Sequence, residues 1–343
     1  MASPRSLVPA IILGAATTIL VLCILPFHPS AFFLAPISER NGLLPVPSRT
    51  FVISLSRRKD RHEQMELLRR QLNVNWRYVN GQDSSSPLVD KIMAQVQSIR
   101  LRDPEYQSNT TVSLPFEWPD AGVPVVPFQD LPLHSTPGPS EPLTCANNDF
   151  TLLPYSPTIR EYKILSRNRI ACWHSHFSVI QHITTRSIQK VSLILEDDVD
   201  MELDIRERLL SVWNLLPHDW DVVFLGHCHS NESYYPALEL HPPLLTYIHP
   251  SHAPLCTHAY ALSATGARRL LWHLTYPPFA YSRSIDHALA WLIQSGRIKA
   301  FSIVPSVVVQ RKIGKSDVMA GKGSAWRENL VHGVLAEDTT VVF

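Results

Sequence analysis

Short apolar runs, separated by amphipathic stretches, constrain the fold of this chain more than any other feature. TFVISL (Thr50–Leu55) and VSLIL (Val191–Leu195) are apolar and rich in β-branched residues. Neither alternates with polar residues, so each reads as a strand buried on both faces. Between and after them come patterns of helical period. SRRKDRHEQMELLRRQL places Met65, Leu68 and Leu72 on one stripe, with Ser56 as its N-cap. WRYVNGQD then supplies a short strand ending in a turn, completing a β-α-β opening. Further along, RNRIACWHSHFSVIQHI repeats Ile170, Trp173, Phe177, Ile180 and Ile183 at spacings of three and four, a helix with one buried face. RERLLSVWNLL reads as a helix, WDVVFLGH as a strand, and HAYALSATGARRLLWHL as strand, turn and helix. SIDHALAWLI adds a helix and FSIVPSVVVQ late strands. Such alternation predicts an α/β fold with a mostly parallel sheet flanked by helices. In sheets of that kind ligands sit at the carboxyl ends of the strands.

The N-terminus makes a second demand. From Ser6 to Ser38 there is no Asp, Glu, Lys or Arg, and Val8 to Phe27 is a nearly unbroken apolar run of 20 residues. That length crosses a bilayer as a helix. Arg5 and the free amine before it favour a cytoplasmic N-terminus. A cleaved signal peptide is the alternative, although its apolar core is usually shorter. The expected organisation is a tail (1–7), a transmembrane signal anchor (8–27), a Pro-containing stem (28–48) and a lumenal domain (49–343). Asn109-Thr110-Thr111 and Asn231-Glu232-Ser233 are acceptor triplets for N-glycosylation and fit a lumenal chain.

Composition narrows the remainder. A formal charge of +1 lacks the basic signature of nucleic-acid binding, and no partner of that class is expected. Five cysteines are few for a disulfide scaffold, and Cys23 lies in the apolar run. Cys228 and Cys256 either form a lumenal disulfide or remain buried thiols. Seven of the 16 histidines fall between 218 and 258, which makes a zinc site with these cysteines conceivable, but the spacing fits no established ligand pattern. His227, following VVFLG, is placed where it can face the ligand crevice. Residues 87–157 hold 12 of the 28 prolines, which predicts an irregular insertion over about 83–165.

Against a chain only 18% charged, VSLIL runs directly into Glu196, Asp197 and Asp198, with Asp200 and Glu202 close behind. Carboxylates this crowded repel one another unless a cation neutralises them. Hard oxygen ligands suit Mg²⁺ or Mn²⁺, held through one or two carboxylates plus substrate phosphates. Asp200 and Glu202 read as solvated. A solvated turn after the strand is the plain alternative for the whole run.

The blocks FVISLSRRKDRHEQM, IACWHSHFSVIQHI, LILEDDV, WDVVFLG, AYALSATGARRLL, SIDHAL and VVVQRKIGKSDV occur in this order over residues 50–318. Together they resemble glycosyltransferase family 25, the family of lipooligosaccharide and collagen galactosyltransferases, and most of all its fungal members. The resemblance implies a GT-A-like, Rossmann-type fold and metal-dependent transfer from a UDP-hexose with inversion. It implies a glycan or glycoprotein acceptor and a single-pass type II protein of the Golgi or endoplasmic reticulum. Glu196, Asp197 and Asp198 then match the acidic motif, with Asp198 the first metal ligand and Glu196 and His287 completing the shell. Arg57, Arg58 and Arg61 match the basic segment that approaches the nucleotide, or else form an exposed helix face. Inversion needs a base for the acceptor hydroxyl, and Asp286 in SIDHAL is the candidate, with a helix first-turn role as its alternative. His176 reads as structural. Arg169 occupies a slot that is acidic in bacterial members, which removes any role of that acid here. Two rivals to the transferase are a catalytically inactive glycan-binding domain of the same fold and a metal-dependent hydrolase or phosphotransferase. The latter would usually show an activated nucleophile or a P-loop, and this chain has neither.

Overall fold

The computed structural model describes residues 42–102, 111–113, 117–118, 126–131, 142–186, 191–239, 245–311 and 329–335. The apolar run at 8–27, Asn109 and the whole KIGKSDV segment lie outside the described residues. No helix among the described residues is long and apolar enough to cross a membrane.

The opening β-α-β unit forms as its pattern predicts. Strand β1 (Ser48–Ser54) leads through α1 (Lys59–Gln71) to β2 (Arg77–Asn80), which pairs parallel to β1. Helix α1 starts later than expected: the Arg58 N–H turns back to the Leu55 carbonyl, and Arg58 rather than Ser56 stands at the cap. A helix follows where the proline count predicted irregular chain. α2 (Pro87–Arg100) has Ser86 as N-cap, its hydroxyl accepting from the Leu88 N–H at 3.3 Å, and Pro87 in the first helical position. Proline there gives up an N–H that has no helical partner anyway. Val89, Ile92 and Val96 form the buried stripe of this helix. A short pair, β3 (Val112–Ser113) with β4 (Thr151–Leu152), lies beyond it.

The long helix α3 (Arg167–Arg186) buries all five residues of its predicted stripe. It precedes β5 (Val191–Glu196), β6 (Val199–Met201), α4 (Ile205–Trp213) and β7 (Val222–Phe224). Then come β8 (Tyr247–Pro250), β9 (Ala259–Leu262), α5 (Ala264–Thr275) and α6 (Ile285–Gln294). β10 (Ala300–Val304) and β11 (Val308–Gln310) close the order.

Seven strands make one sheet in the order β2-β1-β5-β9-β7-β10-β8. It is mixed, which corrects the mostly parallel expectation. β1 runs parallel to β2 and β5, and β10 to β7, but β9 is antiparallel to both β5 and β7, and β8 to β10. The residues of β9, AYAL, are buried throughout, so their pattern reports burial and carries no information about direction. The sheet is packed on both faces. Phe51, Ile53 and Ile194 join the core that includes Ile170, Trp173 and Leu270 from α3 and α5. Val52, Leu193 and Leu195 join the core that includes Met65, Leu68 and Leu209 from α1 and α4. Successive strand residues point to opposite faces, which is why both sets must be apolar. Leu43 and Leu44, within the segment read as a stem, are already buried in the second core.

Candidate functional site

The acidic run lies at the carboxyl end of β5, where the strand rule places it. In the register of β1 and β5, Ile53 stands beside Glu196, so Ser54 at the end of β1 reaches the next carboxylate. The Ser54 hydroxyl donates to Asp197 Oδ2 at 2.6 Å. Arg61, one turn into α1, donates from Nη1 to Asp197 Oδ1 at 2.7 Å and lies 3.2 Å from Asp198 Oδ2. Burial weakens the Arg61 charge, but Asp198 and Asp197 outweigh it and raise its pKa.

Asp198 is also held by the C-terminal part of the domain. β11 pairs antiparallel with β6, bringing the Gln310 amide within 3.2 Å of Asp198 Oδ2, while the Arg311 N–H donates to the Asp198 carbonyl at 2.6 Å. Burial, reinforced by the neighbouring Glu196 charge, pushes the Asp198 carboxyl up to about 7 against the pull of Arg61.

Glu196 shares a face with Ile194 and so meets the helix on that side. His176 of α3 places Nε2 3.3 Å from Glu196 Oε1, and its Nδ1 lies 3.0 Å from the Tyr260 hydroxyl on β9. With the Tyr260 O–H donating to Nδ1, the Nε2–H is left to donate to Glu196. The Thr257 hydroxyl adds a bond to the same oxygen at 2.9 Å. Burial pushes Glu196 up, yet the His176 bond and charge, His258 and Thr257 together hold it below the usual carboxylate range. His176, expected to be structural, is buried but supports the acidic run directly.

Asp200 and Glu202 are not solvated. Asp200 accepts from the Met201 and Leu335 N–H groups at 2.8 and 3.0 Å. Glu202 accepts from Val331 and His332 at 2.7 and 2.8 Å, with Arg208 3.5 Å away. Both are buried and pin residues 331–335 behind the site.

A cleft is lined, among others, by Arg57, Arg61, Gln82, His176, Glu196 and Asp197. Arg57 pairs with Asp83, and Arg58 with Asp60 of its own helix at 2.8 Å. Arg61 is placed by its ion pairs on the acidic run. Asp286 lies in the first turn of α6, where its Oδ1 accepts from the His287 N–H at 2.8 Å. Burial opposes its ionisation, but the bonds from His287 and Ser284 hold its carboxyl well below the usual range. His287 in turn is raised by Asp286 and bonds Ser284 Oγ at 2.8 Å. Burial, and then the charges of Glu196, Asp286 and Asp198, raise the Cys172 thiol, so all three carboxylates act on this one cleft-lining group. Among the described residues no three His, Cys, Asp or Glu side chains form a metal-holding group.

Cys228 and Cys256 form a disulfide with Cα atoms 5.7 Å apart, which decides between the readings left open for them. His227 is buried, and burial lowers its pKa. Arg169 donates to the Glu161 carbonyl at 2.8 Å and ties down the chain entering α3.

Ser54, Gln310, Thr257 and Tyr260 were not predicted. Ser54 had a local signal, as the polar residue ending a buried strand. The others are brought in by pairings that leave no mark in their own segments.

Residues 142–285 match the family model described as Glycosyltransferase family 25 (LPS biosynthesis protein). The match contains the acidic run, His176, Thr257 and Tyr260, while Arg61, Asp286 and Gln310 lie outside it. Among curated proteins, the chain is 28% identical over 225 residues to "Inactive glycosyltransferase 25 family member 3" of Homo sapiens, covering 64% of this chain and 28% of that protein. It is 24% identical over 251 residues to "Procollagen galactosyltransferase 1-B" of Xenopus laevis, covering 71% of this chain and 31% of that protein. A third relative, "Probable inactive glycosyltransferase 25 family member 3" of Bos taurus, is 30% identical over 112 residues, covering 32% of this chain and 18% of that protein. The chain thus spans less than a third of the length of the curated relatives it matches first. The family model and these relatives together make residues 142–285 similar to glycosyltransferase family 25.

Proposed function

We propose that this domain transfers a hexose, galactose or glucose, from a UDP-sugar to a hydroxyl of a glycan or protein, on a GT-A-like fold. The observation that carries the reading is the run Glu196–Asp198 at the carboxyl end of β5, whose Glu196 and Asp197 line a cleft together with Arg57 and Arg61. The similarity to a procollagen galactosyltransferase supports the reaction class.

The donor set fits Mn²⁺ or Mg²⁺: two of three adjacent carboxylates, Asp197 and Asp198, share one guanidinium, and burial with the neighbouring Glu196 charge holds the Asp198 proton up to about 7. Asp198 and Glu196 would hold the ion, with His287 as the further candidate. When bound, the ion offsets charge on the departing diphosphate. Asp197 is already engaged by Ser54 and Arg61, so its role is to orient Arg61 toward the donor phosphates. Arg57 and Arg58 line the approach. Asp286 takes the proton from the attacking acceptor hydroxyl in a single displacement that inverts the anomeric carbon. Its low pKa keeps it ionised and able to accept that proton, but as a weak base.

The domain lies in the lumen of the Golgi or endoplasmic reticulum, anchored by the apolar segment at 8–27. The disulfide supports an oxidising compartment. The purified chain is to be incubated with UDP-galactose and with UDP-glucose, with and without Mn²⁺ and over a panel of glycan and peptide acceptors, and released UDP measured. Metal-dependent release with one donor is the expected result. UDP-sugar binding without release on any acceptor would instead favour an inactive glycan-binding domain.

A further inference from the structure

We infer that Asn231 carries an N-linked glycan, an inference that rests on the lumenal placement given above. The triplet Asn231-Glu232-Ser233 alone is a common pattern, and it is the fold that singles it out. Its outer residues are exposed, whereas Glu232 between them is 1% exposed. The Glu232 carboxylate accepts from the His252 and Ala253 N–H groups at 2.9 and 3.0 Å and from the Ser302 hydroxyl at 2.7 Å. The middle residue therefore anchors the loop, which turns Asn231 and Ser233 outward. The Ser233 hydroxyl donates to Asn231 Oδ1 at 2.8 Å, engaging the amide oxygen and not the nitrogen that takes the sugar.

The surroundings also suit a glycan. The triplet sits in turns between β7 and β8, inside the loop closed by Cys228–Cys256, so a bulky addition displaces no strand or helix. The surface beside it is apolar and uncovered: Tyr234, Tyr235 and Leu238 are 63%, 42% and 38% exposed, and Tyr234 stacks on His252 at 4.3 Å. Contiguous exposed apolar groups favour association, and a hydrated oligosaccharide at Asn231 shields them. In the transfer, a bond forms between Asn231 Nδ2 and the anomeric carbon of an oligosaccharide delivered on a lipid diphosphate. The bond from that carbon to the diphosphate oxygen breaks, the diphosphate leaves with the electron pair, and the amide proton passes to a base of the transferring enzyme.

The test expresses the full chain in a eukaryotic secretory host and treats it with a peptide N-glycosidase, which converts a glycosylated Asn to Asp. We expect that conversion at Asn231 in peptide mass spectra, and a gel mobility shift reduced by one glycan in Asn231→Gln and in Ser233→Ala. Ser233→Thr keeps the shift. An Asn231 that stays unmodified, with the shift unchanged in Asn231→Gln, overturns the inference. If Cys228–Cys256 is then oxidised in the same sample, only the glycan is refuted. If that pair is reduced and no triplet carries sugar, the lumenal placement falls with it.

Discussion

Asp198 is the residue whose chemistry depends most on its surroundings. Its carboxyl, ordinarily near 3.8, is pushed up to about 7, so its charge opposes folding progressively as pH rises between those values. Asp198→Asn removes that charge at nearly constant volume. We expect it to lower metal-dependent UDP release by about a hundredfold or more, the scale of losing several kcal/mol of charge stabilisation. Its thermal midpoint at pH 8 should be no lower than that of the parent. Undiminished metal-dependent release would remove Asp198 from the ligand set. The acidic run was legible because three consecutive acids ending an apolar strand are a local pattern. The opposite error at Asp200 and Glu202 is equally instructive. They read as solvated because no local pattern marks a partner, yet besides the Met201 N–H and Arg208 they are held by backbone N–H groups about 130 residues away, at 331–335.

At the scale of single elements, α5 and α3 give two tests. Ser263 caps α5, accepting from the Gly266 N–H at 2.9 Å, and a Cβ at Gly266 would lie 2.2 Å from the Asp221 carbonyl oxygen. Gly266→Ala therefore forces helix and strand end apart, and we expect a loss of about 1–3 kcal/mol in denaturant unfolding. His174 on α3 and His273 on α5 are both held down to about 4, His174 by burial and His273 by burial and then the Arg297 charge. A histidine that stays neutral when folded but protonates when unfolded costs stability as pH falls from 6.5 to about 4. Unfolding free energy should therefore decline through that window, and His174→Gln should flatten the decline. An equal slope in the variant would show that other groups carry it. Helix α3 was legible because its apolar stripe repeats for five turns. Helix α2 was missed because the surrounding proline count masked its own signals, Ser86 as cap, Pro87 in the first turn and an apolar stripe.

For the molecule as a whole, the disulfide ties a long surface connection to the sheet. Cys228 and Cys256 are 28 residues apart in sequence, and chain entropy alone assigns such a closure about 3–4 kcal/mol. Cys228→Ser should lower unfolding stability by up to that amount, measured by denaturant titration under non-reducing conditions. Sheet topology is also a property of this scale. The β-α-β opening was legible because a helix joining two strands brings the chain back in the same direction. The antiparallel β9 was not, since its direction follows from a connection through β8 and the disulfide loop.

Residues near in sequence set the helical stripes, the buried strands and the placing of three carboxylates at a strand's end, because side-chain period and burial are local properties of the chain. What partners those carboxylates was decided only by the tertiary structure. Ser54 and Arg61 come from the opening unit, His176 from α3, Thr257 and Tyr260 from the region of β9, and Gln310 from β11. These residues span more than 250 positions, and only strand register, which leaves no trace in any one segment, brings them together. Burial and the Glu196 charge raise Asp198 against the pull of Arg61 and Gln310, while the bonds from His176 and Thr257 lower Glu196, two acids separated by a single residue.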